Sequence, residues 1–144
     1  MTNIPAIYQG KLNTLDQIKV SPLSRAYTFS DSIYEVIPYF LGKPLCYKEH
    51  FARMIQSSHL MGLDVDFDSV TKDIKELAAT LNNQDGYVYY QISRGVDMVR
   101  SHIYQDDLEI ERFGYAMPAS FPSSAISAML CDDDRWGRCN IKST

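Results

Sequence analysis

Three places in this sequence gather side chains that can do chemistry. The first is the run Arg135-Trp136-Gly137-Arg138-Cys139-Asn140-Ile141-Lys142-Ser143. Arg135 and Arg138 repel the nearby amine's positive charge and so depress its pKa, and only a neutral amine is a nucleophile. The second is Glu49-His50-Phe51-Ala52-Arg53. Arg53 falls three residues after His50, on one helical face, so both can point at one site. A guanidinium donates two parallel hydrogen bonds, which suits phosphate. The third is Arg100-Ser101-His102, a positive pair that makes an anion socket when a strand phenol stands beside it. Met singly, each of these side chains reads as solvated; the runs around them argue otherwise.

The elements that must position these groups follow from the apolar pattern. Residues 4–8 and 11–12, separated by Gln9-Gly10, read as a short hairpin with Gly10 supplying the positive φ. Residues 33–40 are rich in β-branched and aromatic types, a strand in which Pro38 removes a ladder donor and so marks an edge or the end of pairing. Phe51, Met54, Ile55, Ser58 and Met61 recur at helical spacing over 47–61, with Gly62 as the stop. A second helix is expected over 69–81, with Asp68 as its N-cap. Residues 87–94 alternate, placing Val88, Tyr90 and Ile92 on one face and Tyr89, Gln91 and Ser93 on the wet one. More strand is expected over 108–117 and 125–131. The stretch from Pro118 to Ser124 breaks the pattern and reads as a linker.

Bulk properties narrow the class. The chain has 144 residues, of which 45% are hydrophobic and 22% charged, the composition of one globular domain or one plus the start of another. Fourteen basic residues against eighteen acidic give a net charge of -4. The basic residues are scattered, which argues against nucleic acid as a partner. Cys46, Cys131 and Cys139 lack metal-type spacing and read as reduced thiols in the cytoplasm. No basic and apolar leader opens the chain, and no apolar run approaches the roughly 20 residues of a membrane span.

The run ending in Lys142 resembles the lysine-bearing segment of the fold type IV pyridoxal-phosphate aminotransferases. That group includes D-amino acid aminotransferases, branched-chain aminotransferases and aminodeoxychorismate lyases. The resemblance implies that Lys142 condenses with the aldehyde of pyridoxal 5'-phosphate and then shuttles a proton. Tyr27-Thr28-Phe29-Ser30-Asp31-Ser32-Ile33-Tyr34-Glu35-Val36 is similar to the family's Y-x-F-G-D-G-V-Y-E-V strand, with serines for both glycines. By resemblance Tyr34 holds the substrate carboxylate, Glu35 lies near the cofactor lysine and Val36 lines the substrate pocket. The E-H-x-x-R element implies that Arg53 grips the cofactor phosphate. Tyr89-Tyr90-Gln91-Ile92-Ser93-Arg94-Gly95 matches Y-x-Q-x-T-R-G and puts Tyr89 near the substrate. Arg100 and His102 resemble the α-carboxylate trap of the D-amino acid subgroup, one residue further along and without its proline.

The resulting expectation is an α+β fold, an antiparallel sheet with two helices on one face, followed by the first strands of a second domain. Residues 1–118 would form the small domain, 119–124 the linker and 125–144 the start of a truncated cofactor-binding domain. The resemblance implies transfer of an amino group between a D-amino acid and a 2-oxo acid by a homodimer. The fragment alone is expected to be inactive, because the carboxylate for the pyridine nitrogen and the rest of the phosphate cup match nothing in the 144 residues. Two alternatives stand beside this: an aminodeoxychorismate lyase, and a non-catalytic domain that only self-associates.

Overall fold

The computed structural model describes residues 3–121, 124–133 and 137. Strand β1 (Pro5–Tyr8) turns into β2 (Lys11–Thr14) through Gln9 and Gly10, at φ 50° and 74°. Two consecutive positive φ values are what a two-residue I′ hairpin requires, so Gln9 shares the role expected of Gly10 alone. A 3-10 turn at Leu15–Gln17 and a short helix α1 (Arg25–Phe29) follow. The Ser24 hydroxyl caps α1 by accepting from the Ala26 N–H. Ser30 ends it in the left-handed region at φ 52°, the strained geometry expected of a serine where the family pattern has glycine. Ser32 differs: it is simply the first residue of β3 (Ser32–Phe40).

Leu41 and Gly42 repeat the positive-φ turn, at 46° and 74°, and lead into a two-residue strand β4 (Lys43–Pro44). Helix α2 (Tyr47–Leu60) ends before Gly62, whose φ of 61° is the left-handed stop expected of it. Helix α3 spans Phe67–Ala79. Its cap is Asp66, not Asp68: the Asp66 carboxylate accepts from the Asp68 and Ser69 N–H groups. Asp68 instead sits inside the first turn, where a negative charge favours the helix dipole. Strands β5 (Gly86–Ser93) and β6 (Glu111–Pro118) complete the unit.

Among the described residues six strands form one sheet in the order β2-β1-β6-β5-β3-β4, with every pairing antiparallel. Both long helices pack on the face that carries Ile7, Ile37, Val88, Tyr90, Ile92 and Ala116, to which they add Met54, Val70, Ile74 and Leu77. Burying each of these larger aliphatics contributes on the order of 2 kcal/mol. The other face of the sheet keeps its aromatic side chains half-exposed. The expected sheet with helices on one face is therefore what forms.

Two strand expectations are corrected. The strand expected from residue 108 begins at Glu111, because residues 97–110 loop back past α1. The strand expected over 125–131 is absent: residues 124–133 have neither helix nor strand, and Ile126, Met129 and Leu130 are exposed. An apolar run becomes a strand only when another strand takes its backbone groups, and among the described residues none does.

Pro38 behaves as its chemistry dictates. It pairs with Tyr87 on the β5 side, while its carbonyl accepts from the Leu45 N–H on the other side. The N–H and C=O of a strand residue point the same way, so the missing donor faces β4 and costs no β5 rung. The β3–β4 pairing covers only Tyr39 and Phe40, and residues 32–37 of β3 keep one side bare among the described residues.

Candidate active site

On that bare side of β3 four of the expected site residues, Tyr34, Glu35, Val36 and Arg53, come together. Tyr34, Glu35 and Val36 from β3, with Arg53 and Ser57 from α2, line one shallow recess of about 400 Å³. Strand alternation divides the three: Tyr34 and Val36 face the open side of the sheet, whereas Glu35 faces the helices and is buried. Arg53 comes across from α2 and makes a bidentate pair with it, Nε to Oε1 at 2.6 Å and Nη2 to Oε2 at 2.7 Å. His50, one turn earlier on α2, meets Oε2 through Nδ1 at 2.7 Å.

The electrostatics of this trio have one direction. Burial pushes the Glu35 carboxyl up, but the hydrogen bonds and charges of Arg53, and then of His50, outweigh it and hold the group below the ordinary glutamic acid value. Glu35 is therefore a carboxylate near neutral pH, and Nδ1 of His50 donates to it. The 3.3 Å approach between Arg53 Nη2 and His50 Nδ1 then joins two donors and is no hydrogen bond.

Tyr89 adjoins the recess. It is paired with Val36 across β3 and β5, and its ring stacks between Tyr34 and Tyr115 at centroid distances of 5.5 and 5.1 Å. Burial first, then the phenols of Tyr115 and Tyr34, raise its pKa. The hydroxyl stays protonated and donates to Gln91 Oε1 at 2.7 Å.

Arg100 and His102 stand elsewhere. Both are exposed, and both touch Phe29: the Arg100 guanidinium lies 5.1 Å from its ring and the His102 ring meets it edge-on at 5.2 Å. Neither lines the recess of Tyr34 and Arg53. Lys142 and its run lie outside the described residues, apart from Gly137.

A buried ion cluster that the sequence reading missed holds this second region in place. Asp31 accepts from Arg25 Nε at 2.9 Å and from Arg94 Nε and Nη2 at 2.7 and 3.1 Å. Arg25 also reaches Asp97 and the Ser101 carbonyl, at 3.4 and 2.9 Å. Arg94 donates to the carbonyls of Met61 and Gly62 and lies 3.8 Å over the Tyr104 ring. Burial pushes the Asp31 carboxyl up, yet Arg94 and then Arg25 bring it below the usual range. α1, the end of α2, β5 and the loop bearing Arg100 and His102 thus share one neutralised cluster. Gly95, next to Arg94, runs at φ 118°, and a Cβ there would stand 2.1 Å from the Glu109 carbonyl oxygen. Only glycine fits, which explains it in S-R-G. Ser57 was also missed; it stands four residues after Arg53 and its helical spacing was the available signal.

Comparison with known proteins identifies the family and the fold. The family described as amino-transferase class IV matches residues 32–144. A D-alanine aminotransferase of Bacillus licheniformis is 33% identical over 143 residues, covering 95% of this chain and 50% of that protein. One from Listeria innocua is 34% identical over 127 residues, covering 83% and 44%. The chain thus spans about half the length of the curated relatives it matches.

Among solved structures, the branched-chain amino acid aminotransferase of Escherichia coli superposes with a TM-score of 0.72 at 18% identity, over 82% of this chain and 42% of that one. The 4-amino-4-deoxychorismate lyase of Pseudomonas aeruginosa gives 0.70 at 18%, over 81% and 41%. At such identities the likeness is one of fold. Family match, D-alanine aminotransferase relatives and shared fold converge, and the chain belongs to the class IV aminotransferases.

Proposed function

We propose that this chain supplies the small domain and part of the cofactor site of a pyridoxal-phosphate-dependent enzyme that moves an amino group between a D-amino acid and a 2-oxo acid. The observation that carries the reading is the recess in which Arg53 meets Tyr34 and Val36 at the bare side of β3. Its donor set suits the phosphate end of the cofactor, because the guanidinium side chain is largely exposed and its Nη1 makes no hydrogen bond among the described residues. The relatives at 33% and 34% identity are D-alanine aminotransferases, which favours a D-amino acid as donor. When bound, the cofactor supplies the aldehyde and the electron sink that makes an amino acid's Cα acidic.

The chain's own residues divide the remaining work. Arg53 binds the phosphate as a fixed cation. Tyr34 and Val36 bound the substrate side of the recess, and Tyr89 keeps Tyr34 upright by stacking. Lys142 serves as the amine that holds the cofactor and carries the proton. Arg100 and His102, on the loop braced by Phe29, take the substrate α-carboxylate. Since they lie apart from the recess, a homodimer in which that loop serves the neighbouring subunit is the assembly we favour.

In this reading residues 1–118 are the small domain, 119–124 the linker and 125–144 the opening of the larger domain, in the cytoplasm. No helix among the described residues is long and apolar enough to cross a membrane. The test adds pyridoxal 5'-phosphate and follows absorbance near the visible edge. A band in the wild-type chain that vanishes in Lys142→Ala supports the assignment; no wild-type band, or a band that survives in the variant, overturns it. Assays of an enzyme that also carries the remainder of the cofactor site, with D-alanine plus 2-oxoglutarate run against aminodeoxychorismate, separate the transferase from the lyase.

A further inference from the structure

We infer that Glu35, braced by His50, is a positioning residue for Arg53, and that the guanidinium edge left open by this pairing is the anion-binding surface of the recess. The inference rests on the reading of Arg53 as the phosphate group's partner and deepens it. It assigns Glu35 no contact with the cofactor: both of its oxygens are already engaged by Arg53 and His50.

Arg53 has a side chain 65% exposed at the surface of α2. Such a side chain ordinarily samples many rotamers, and immobilising it on binding weakens affinity. Here it is already fixed. Glu35 is 4% exposed and sits mid-strand, paired with Tyr90 on β5, so its carboxylate is anchored in the sheet. The bidentate contact uses the Nε–Nη2 edge of the guanidinium. What stays open is the end-on edge, formed by Nη1 and the second N–H of Nη2. A planar guanidinium offers two parallel donors along that edge, the match for two oxygens of a phosphate monoester.

His50 completes the device. Donating Nδ1–H to Oε2, it stops the carboxylate from rotating away from Arg53, and the two α2 residues grip Glu35 from positions three apart. Two effects of Glu35 oppose each other at the anion site. Its negative charge repels phosphate, whereas its grip removes the ordering cost. The repulsion is blunted because Arg53 lies between the carboxylate and the open edge, so positioning wins.

The test uses the 144-residue chain, titrated with pyridoxal 5'-phosphate, inorganic phosphate and phosphate-free pyridoxal, with the Arg53 Nε–H signal followed by NMR. In the unliganded wild type this signal is single, shifted downfield and slow to exchange; a signal averaged with the other arginines overturns the inference without any variant. Glu35→Gln collapses the signal and weakens both phosphate ligands by roughly tenfold, the worth of one pre-ordered side chain, with pyridoxal unaffected. Unchanged or tighter phosphate binding in Glu35→Gln refutes the positioning role, since loss of repulsion alone predicts the latter. Should Glu35→Gln not fold, His50→Ala gives the same readouts with a smaller, two- to threefold loss, and no change there refutes the bracing. Arg53→Ala separates the two claims. If it binds phosphate like wild type, the functional reading itself fails; if it loses binding while Glu35→Gln does not, only this inference fails.

Discussion

Asp31 and Arg94 form a bidentate pair across the start of β3 and the end of β5, Nε to Oδ2 at 2.7 Å and Nη2 to Oδ1 at 3.1 Å. Both are almost fully buried, and Arg25 shares the same carboxylate. Deleting the anion strands two cations in a medium that cannot solvate them. Asp31→Ala is expected to lower stability by about 3–5 kcal/mol, measured by urea denaturation. A loss under about 1 kcal/mol would show that Asp97 alone can neutralise the cluster.

Two adjacent tyrosines should respond very differently to removal of their hydroxyls. Tyr90 faces the helices, where it donates to the buried Asp73 carboxylate at 2.6 Å. Tyr89 faces the open side and donates to the half-exposed Gln91. Tyr90→Phe therefore costs about 1–3 kcal/mol, because a buried acceptor loses its donor, whereas Tyr89→Phe costs less than about 1 kcal/mol. Equal losses in thermal melts would contradict this division of the sheet into dry and wet faces.

The two serines that stand where the family pattern has glycine are not equivalent. Ser30 holds φ 52°, a conformation that L-residues adopt at a penalty, so Ser30→Gly is expected to be neutral to about 1 kcal/mol stabilising. Ser32 begins a strand, where glycine's extra freedom in the unfolded chain makes Ser32→Gly about 0.5–1 kcal/mol destabilising. Opposite signs of the change in urea midpoint are the expected result.

Much of this was legible in the residues themselves. Alternation in β5 gave the helix-side face correctly, since Val88, Tyr90 and Ile92 are all fully buried, but Ser93, expected on the wet face, is buried as well and donates to Glu111 Oε2 at 3.2 Å. Pro38 announced where pairing stops. The cap of α3 was misplaced because Asp66 and Asp68 are chemically identical, and only backbone geometry decides which carboxylate meets free N–H groups. The failed strand over 125–131 shows a limit of local pattern: apolar residues specify a strand only if a partner exists. Around the site, the E-H-x-x-R spacing put His50 and Arg53 on one helical face, but nothing in the residues paired Arg53 with Glu35, which the resemblance set near the cofactor lysine. The cluster of Arg25, Asp31, Arg94 and Asp97 was invisible, because its members join positions as much as 72 residues apart with no periodicity to link them.

Stability should fall at both ends of the pH scale, for opposite reasons. Asp31 and Glu35 have carboxyls held below their ordinary values by arginine. Their contribution is complete above the usual carboxylate range and is lost as pH falls through the lowered folded values. Tyr39 is pushed up to about 12, by burial first and then by Tyr47. Its contribution is complete below the usual phenol value of about 10 and disappears as pH rises toward 12. Tyrosinate absorbance should develop late for Tyr39 and coincide with unfolding; a Tyr39→Phe variant that melts no later at high pH would rule this out.

The imino nitrogen of Pro38 has a reach beyond its own rung. By stopping the β3–β4 ladder at Tyr39, it spares the flank of β3 from a neighbouring strand that would run past Val36 and Tyr34. Arg53 shares a recess with Tyr34 and Val36 on that stretch of the strand. A residue chosen for what it cannot donate thereby leaves room for a cation whose whole use is donation.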